Sequence, residues 1–204
     1  MKSNNGMKVL VIAALVIGVL ALSLGFAAFS NTLTIKSSAT VTPSSANFNV
    51  SLSRANNSVS TGSVTPTVTG ATGSNATLTA TTISNLKATF TNVGQSVKYS
   101  FYAYNAGSFA AYLNSVAIGG KTCTAVTGTT QSYVDAACEG ISISVKVGSD
   151  TYSSSNTSIS SHSLAKNTAE TVEVTISYAS GSAVADGDFN VTFGDTVLTY
   201  GSAD

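Results

Sequence analysis

One histidine, two cysteines, three glutamates and a few aspartates are what this chain offers for chemistry beyond its many hydroxyls. Nucleophilic catalysis pairs a Ser or Cys with a base that packing holds in place. His162 lies within Ser160-Ser161-His162-Ser163, a low-complexity stretch, and reads as a solvated loop residue. A zinc peptidase needs paired histidines and a structural zinc site needs four ligands, so a lone histidine excludes the first and does not make the second. Glycoside hydrolysis needs two carboxylates across a cleft. Glu139, Glu170 and Glu173 are the glutamates, Glu173 falls on the polar face of a strand pattern, and solvated faces account for all three. The expectation is a chain with no catalytic residues, no metal and no cofactor.

Two further groups carry weaker signals. Asp186-Gly187-Asp188, with Asp150 or Asp195, has the oxygen chemistry of a calcium loop, but Asp-Gly is first a turn dipeptide, and calcium wants six or more oxygens. Tyr99, Tyr102, Tyr104 and Tyr112 could stack on sugar rings. Tyr99 shares the register of Val97 and Phe101 and belongs to the core. Tyr102 and Tyr104 fall on the opposite face as a candidate surface-binding pair. Cys123 and Cys138 read as a disulfide if the chain is exported. Closing a loop of that length is worth about 3 kcal/mol.

The elements that must position these residues are strands. Apolar residues alternate with polar ones at Phe48, Val50 and Leu52, at Val97, Tyr99 and Phe101, and at Ile141, Ile143, Val145 and Val147. The same period recurs at Val172, Val174, Ile176 and Tyr178, at Phe189, Val191 and Phe193, and from Val197 to Tyr200. Turn signals separate them, among them Asn105-Ala106-Gly107, Gly119-Gly120 and Gly148-Ser149-Asp150. Residues 54–76 and 149–163 read as long connections or weak edge strands, and no long helical period follows the N-terminal segment. The expected fold is all-β, a jelly-roll-like β-sandwich preceded by a hydrophobic signal helix. Absence of Trp argues against an antibody-like core.

Lys2 and Lys8 precede an apolar run from Val9 to about Leu24, and Gly25-Phe26-Ala27-Ala28 follows. A basic start, an apolar stretch and a small-x-small site read as a secretory signal. Gly25 and Ala27 take the −3 and −1 positions, with cleavage before Ala28. The competing reading is an uncleaved membrane anchor, since the run nearly spans a bilayer. A type IV pilin is disfavoured, because Val11 stands where such a chain carries Glu. The expected organisation is a signal over 1–27, a donor or edge strand over 28–41, and one β-sandwich domain over 42–204. Within 28–41, Phe29, Leu33, Ile35, Ala39 and Val41 share one face and small polar residues the other.

Of the 204 residues, 43% are hydrophobic and 9% charged, with formal net charge +0. Nothing here neutralises a run of phosphates, so nucleic acid is not an expected partner. Zero net charge also removes the repulsion that keeps copies apart.

Several stretches resemble the TasA/camelysin family of secreted biofilm-matrix fibre subunits, which a SipW-type signal peptidase processes. The matching pieces are Ala27-Ala28-Phe29-Ser30-Asn31 with the strand through Val41, and Ile83-Ser84-Asn85-Leu86-Lys87. The match continues from Val93-Gly94-Gln95-Ser96-Val97 through Tyr99 to Ser108. Val93 replaces the family's turn proline, Ala88 to Asn92 are additional, and the cysteine pair lies outside the pattern. The resemblance implies a jelly-roll subunit, secreted to the extracellular matrix or cell surface, that polymerises by giving its N-terminal strand to a neighbour. Its partners would be further copies of itself, the signal peptidase and other matrix or surface components. The alternative expectation is a membrane-tethered monomeric binding module that uses Tyr102 and Tyr104.

Overall fold

The computed structural model describes residues 48–202. The signal-cleavage residues Gly25, Ala27 and Ala28 and the donor-strand residues Phe29, Leu33, Ile35, Ala39 and Val41 lie outside the described residues. Along the chain come β1 (Val50–Ser53), β2 (Gly62–Val64), β3 (Thr67–Thr69), β4 (Thr72–Gly73), β5 (Ala76–Leu78), β6 (Thr82–Ser84) and β7 (Leu86–Phe90). The long β8 (Ser96–Asn105) follows, then β9 (Ala111–Ile118), β10 (Lys121–Ala125) and helix α1 (Gln131–Cys138). The remainder is β11 (Ile141–Val147), β12 (Asp150–Tyr152), β13 (Ser163–Leu164), β14 (Thr168–Tyr178), β15 (Phe189–Phe193) and β16 (Thr196–Gly201). The all-β expectation holds, and residues 54–76 are indeed short strands joined by turns.

Three sheets share one core. The first has the order β1-β8-β14-β11-β12, with β3 also on β8. The second is β10-β15-β7-β4, and the third is β13-β9-β16-β6-β5-β2. Every named pair is antiparallel, which suits strands with one wet face. β8 and β14 pair from Asn105↔Thr168 to Ser96↔Ser177. A slip of one residue would turn Val172, Val174 and Ile176, all fully buried, toward water, so burial fixes the register. Phe90, Tyr178 and Phe189 close the core, Tyr178 meeting both phenylalanines edge to face, with ring centroids 5.5–6.2 Å apart across the three pairs.

The second and third sheets meet at a corner where the chain changes sheet several times. β9 passes to β10 through Gly119-Gly120 while β15 passes to β16 through Gly194. A Cβ on Gly119 would stand 2.4 Å from the Gly194 backbone, so only glycine permits that crossing.

Cys123 and Cys138 form the expected disulfide, which ties β10 to the end of α1. The sequence reading missed that helix, because eight residues with only Val134 and Ala137 buried show too little period to register. Among the described residues no helix is long and apolar enough to cross a membrane.

Candidate functional site: an open strand edge and a buried histidine

β16 is paired with β9 along its whole length, from Thr196↔Ile118 to Gly201↔Tyr112, with a register shift between Thr199 and Tyr200. Its other edge pairs with β6 only at Thr196↔Ile83 and Val197↔Thr82. The next residue, Leu198, would have to face Thr81, and Thr81 has already left the sheet. The Thr79 hydroxyl accepts hydrogen bonds from the backbone N–H of Thr81 at 3.3 Å and Thr82 at 3.0 Å. Thr79 N–H in turn donates to the Thr82 carbonyl at 2.9 Å. These bonds curl the β5–β6 connection into a tight turn. Among the described residues, no strand pairs with that edge of β16 beyond Val197.

Opposite this open edge lies β1, which belongs to the first sheet and leans on the same turn through Leu52 N–H to the Ala80 carbonyl, 2.8 Å. Between them is a groove of about 290 Å³, lined by Phe48, Val50, Leu52, Ala80, Thr81, Val197, Leu198, Thr199 and Tyr200. Leu52 and Leu198 are buried beneath it, and Phe48 and Val50 are half-buried at its side. An apolar lining beside backbone groups without a ladder partner is the combination an added strand requires.

The second feature adjoins Tyr200. Glu170 keeps the register of Val172, Val174 and Ile176, so β14 carries its carboxylate toward the interior at the sandwich's end. There Tyr200 Oη donates to Glu170 Oε1 at 2.7 Å. His162 Nε2 lies 2.8 Å from Glu170 Oε2, and Nδ1 lies 2.6 Å from Asp150 Oδ2. The imidazole is 9% exposed, Glu170 14% and Asp150 52%. This corrects the reading of His162 as a solvated loop residue. The serine-rich stretch is pinned, its His162 carbonyl accepting from Leu113 N–H of β9 at 2.9 Å.

Burial alone would lower the basicity of His162, but the hydrogen bonds and charges of Asp150 and Glu170 outweigh it and hold the imidazole above its ordinary value of 6.5. Burial, and secondarily the Glu170 charge, keeps the Tyr200 hydroxyl protonated. Tyr152 is raised by burial first and then by Asp150 and Glu170. A neutral imidazole donates from one nitrogen only, so donation to both carboxylates specifies the imidazolium. Both ring nitrogens are engaged, which leaves neither to take a proton from a serine.

The other candidates take simpler roles. Asp186 Oδ1 accepts from Thr130 N–H at 2.9 Å, and the Asp188 carbonyl accepts from the Thr129 hydroxyl at 2.8 Å, so this loop braces the start of α1. Glu173 is on the polar face as expected, 2.9 Å from Lys98 Nζ. Tyr99 is fully buried, its hydroxyl 2.9 Å from the Ser74 and Lys87 carbonyls. Tyr102 and Tyr104 are half-buried on the opposite face of β8, where β14 places Thr171 and Ala169 beside them. The residues that sequence reasoning missed are Glu170 and Tyr200. A carboxylate that continues the apolar register of β14 was the available signal, since such a group must find partners. Comparison of the chain with known protein families, curated proteins and solved structures finds no match.

Proposed function

We propose that this chain is a secreted structural subunit of an extracellular, biofilm-matrix fibre, and that it assembles by giving its N-terminal strand to the groove of a neighbouring subunit. The supporting observation is the edge of β16 beyond Val197, which no strand among the described residues pairs, above a floor of Leu52 and Leu198. The occupant we assign is the segment 28–41, whose Phe29, Leu33, Ile35 and Val41 alternate with small polar residues. Burying those four side chains is worth roughly 6–12 kcal/mol. Pairing with β16 supplies the hydrogen bonds that ordering the segment requires. The low share of charged residues, 9%, limits repulsion between identical copies. On this reading the sheets form a jelly-roll-like sandwich, residues 1–27 are removed as a signal, and the resemblance to the TasA/camelysin family is one of function.

The test compares negative-stain images of the chain beginning at Ala28 with a version beginning at Thr42. The longer chain should form filaments and the shorter should not. A synthetic peptide of residues 28–41, at a hundred times its dissociation constant, should then raise the melting temperature of the shorter chain by about 5–10 °C. If both versions stay monomeric and the peptide shifts nothing, strand donation is wrong. An intact N-terminal tether on a monomeric surface protein would then turn attention to Tyr102 and Tyr104.

A further inference from the structure

We propose that Asp150, His162, Glu170 and Tyr200 form a proton-operated clamp between two sheets at the edge of the groove, firm while His162 carries its charge and slack when it does not. The further consequence, that strand capture weakens as the clamp slackens, rests on the fibre reading above; the clamp does not.

The geometry crosses between sheets twice. Asp150 and Glu170 belong to β12 and β14 of the first sheet. His162 leads into β13, and Tyr200 lies on β16, both of the third sheet. His162 therefore joins two strands of the opposing sheet through its two nitrogens, and Glu170 returns the connection to Tyr200, which lines the groove. The groups that face the imidazole are these two carboxylates, with Tyr152 and Tyr200 behind them; β9 holds only the backbone of the residue, through Leu113 N–H on the His162 carbonyl. Lys98 and Lys146 act on Glu173 instead. When the imidazolium loses its proton, one nitrogen lone pair must face a carboxylate, and attraction becomes repulsion at one of the two contacts.

The sign follows from the raised imidazole. Its contribution is fully present below the ordinary value of 6.5 and is lost as pH rises through the higher folded value. Among side chains the background is quiet in that window, and the α-amino group, which also titrates there, is common to wild type and variant. His162 is the sole histidine of the sequence, and the two cysteines are joined to each other.

The experiment uses the full exported chain. A single imidazole signal is followed by NMR from pH 5 to 9, and thermal melting is followed over the same range beside His162→Gln. The signal should titrate above 6.5, and melting of the wild type should fall with pH relative to the variant. Each tenfold gain in proton affinity on folding corresponds to roughly 3–5 °C. Titration at or below 6.5, or equal pH slopes in the two proteins, overturns the clamp. If His162→Gln does not fold, the wild-type imidazole titration decides the clamp by itself; Tyr200→Phe, which cuts the connection to the groove and leaves the histidine between its carboxylates, tests the link to strand capture. Filament mass of the wild type should drop several-fold from pH 6 to pH 9, and Tyr200→Phe should lose that dependence while keeping the melting slope. Equal filament mass at both pH values overturns the link to strand capture. No filaments at any pH overturns the fibre reading, and the titration and melts still decide the clamp.

Discussion

Thr196 shows how little a polar side chain contributes when burial leaves it without a partner. It is 1% exposed, and its hydroxyl has no hydrogen-bond partner among the described residues. A buried hydroxyl in that state costs about 1–3 kcal/mol. Thr196→Val keeps the branched shape and the backbone pairing, so it should leave stability unchanged or raise it by about 1 kcal/mol in urea unfolding. A loss of more than 1 kcal/mol would reveal a partner for the hydroxyl. Asn105 is the contrasting case. It is fully buried, donates from Nδ2 to the Phe109 and Leu164 carbonyls at 2.9 and 3.1 Å, and accepts from Gly107 N–H at 2.9 Å. The sequence marked Asn105-Ala106-Gly107 as a turn. It did not show that the asparagine seals that turn against β13, because Leu164 lies far along the chain.

Among the elements, the turn between β5 and β6 decides the groove. A longer β6 would pair with Leu198 and close the edge; three hydrogen bonds around Thr79 end it early. The helix depends on its surroundings in a comparable way. It is too short to stand alone in water. The disulfide, the Lys121 ammonium on the Cys138 and Ile141 carbonyls, and the Asp186 contact at its start hold it in place. The cysteines are 15 residues apart in sequence, and removing the bond by Cys123→Ser with Cys138→Ser should lower stability by about 3 kcal/mol. Amide exchange should then quicken first in residues 131–138, while β8 and β14 keep their protection. Uniform loss of protection would mean that the disulfide stabilises the entire sandwich.

For the whole molecule, the balance of forces favours contact through apolar surface and main-chain pairing over contact through charge. Only 9% of the residues are charged, and the groove lining contains no ionic side chain. On the proposed strand-donation reading, filaments should therefore form as readily at 1 M salt as at 0.05 M, because screening acts on exposed charges and leaves a buried ladder almost untouched. Dissolution at high salt, followed by turbidity, would instead point to an electrostatic contact between subunits.

The sequence by itself determined the all-β class, most of the long strands with their inward faces, and the cysteine pair. Each of these is local: period two reveals which face is apolar, and two cysteines admit one pairing. It also placed Glu173 and Tyr99 correctly, since register along one strand settles both. Tertiary structure alone decided the groove and the cluster around His162. Leu52 and Leu198 meet across two sheets, and Asp150, His162, Glu170 and Tyr200 come from four segments whose approach no spacing along the chain encodes. His162 looked solvated because its neighbours in sequence are serines; its side chain is shielded because β12 and β14 bring Asp150 and Glu170 against both ring nitrogens.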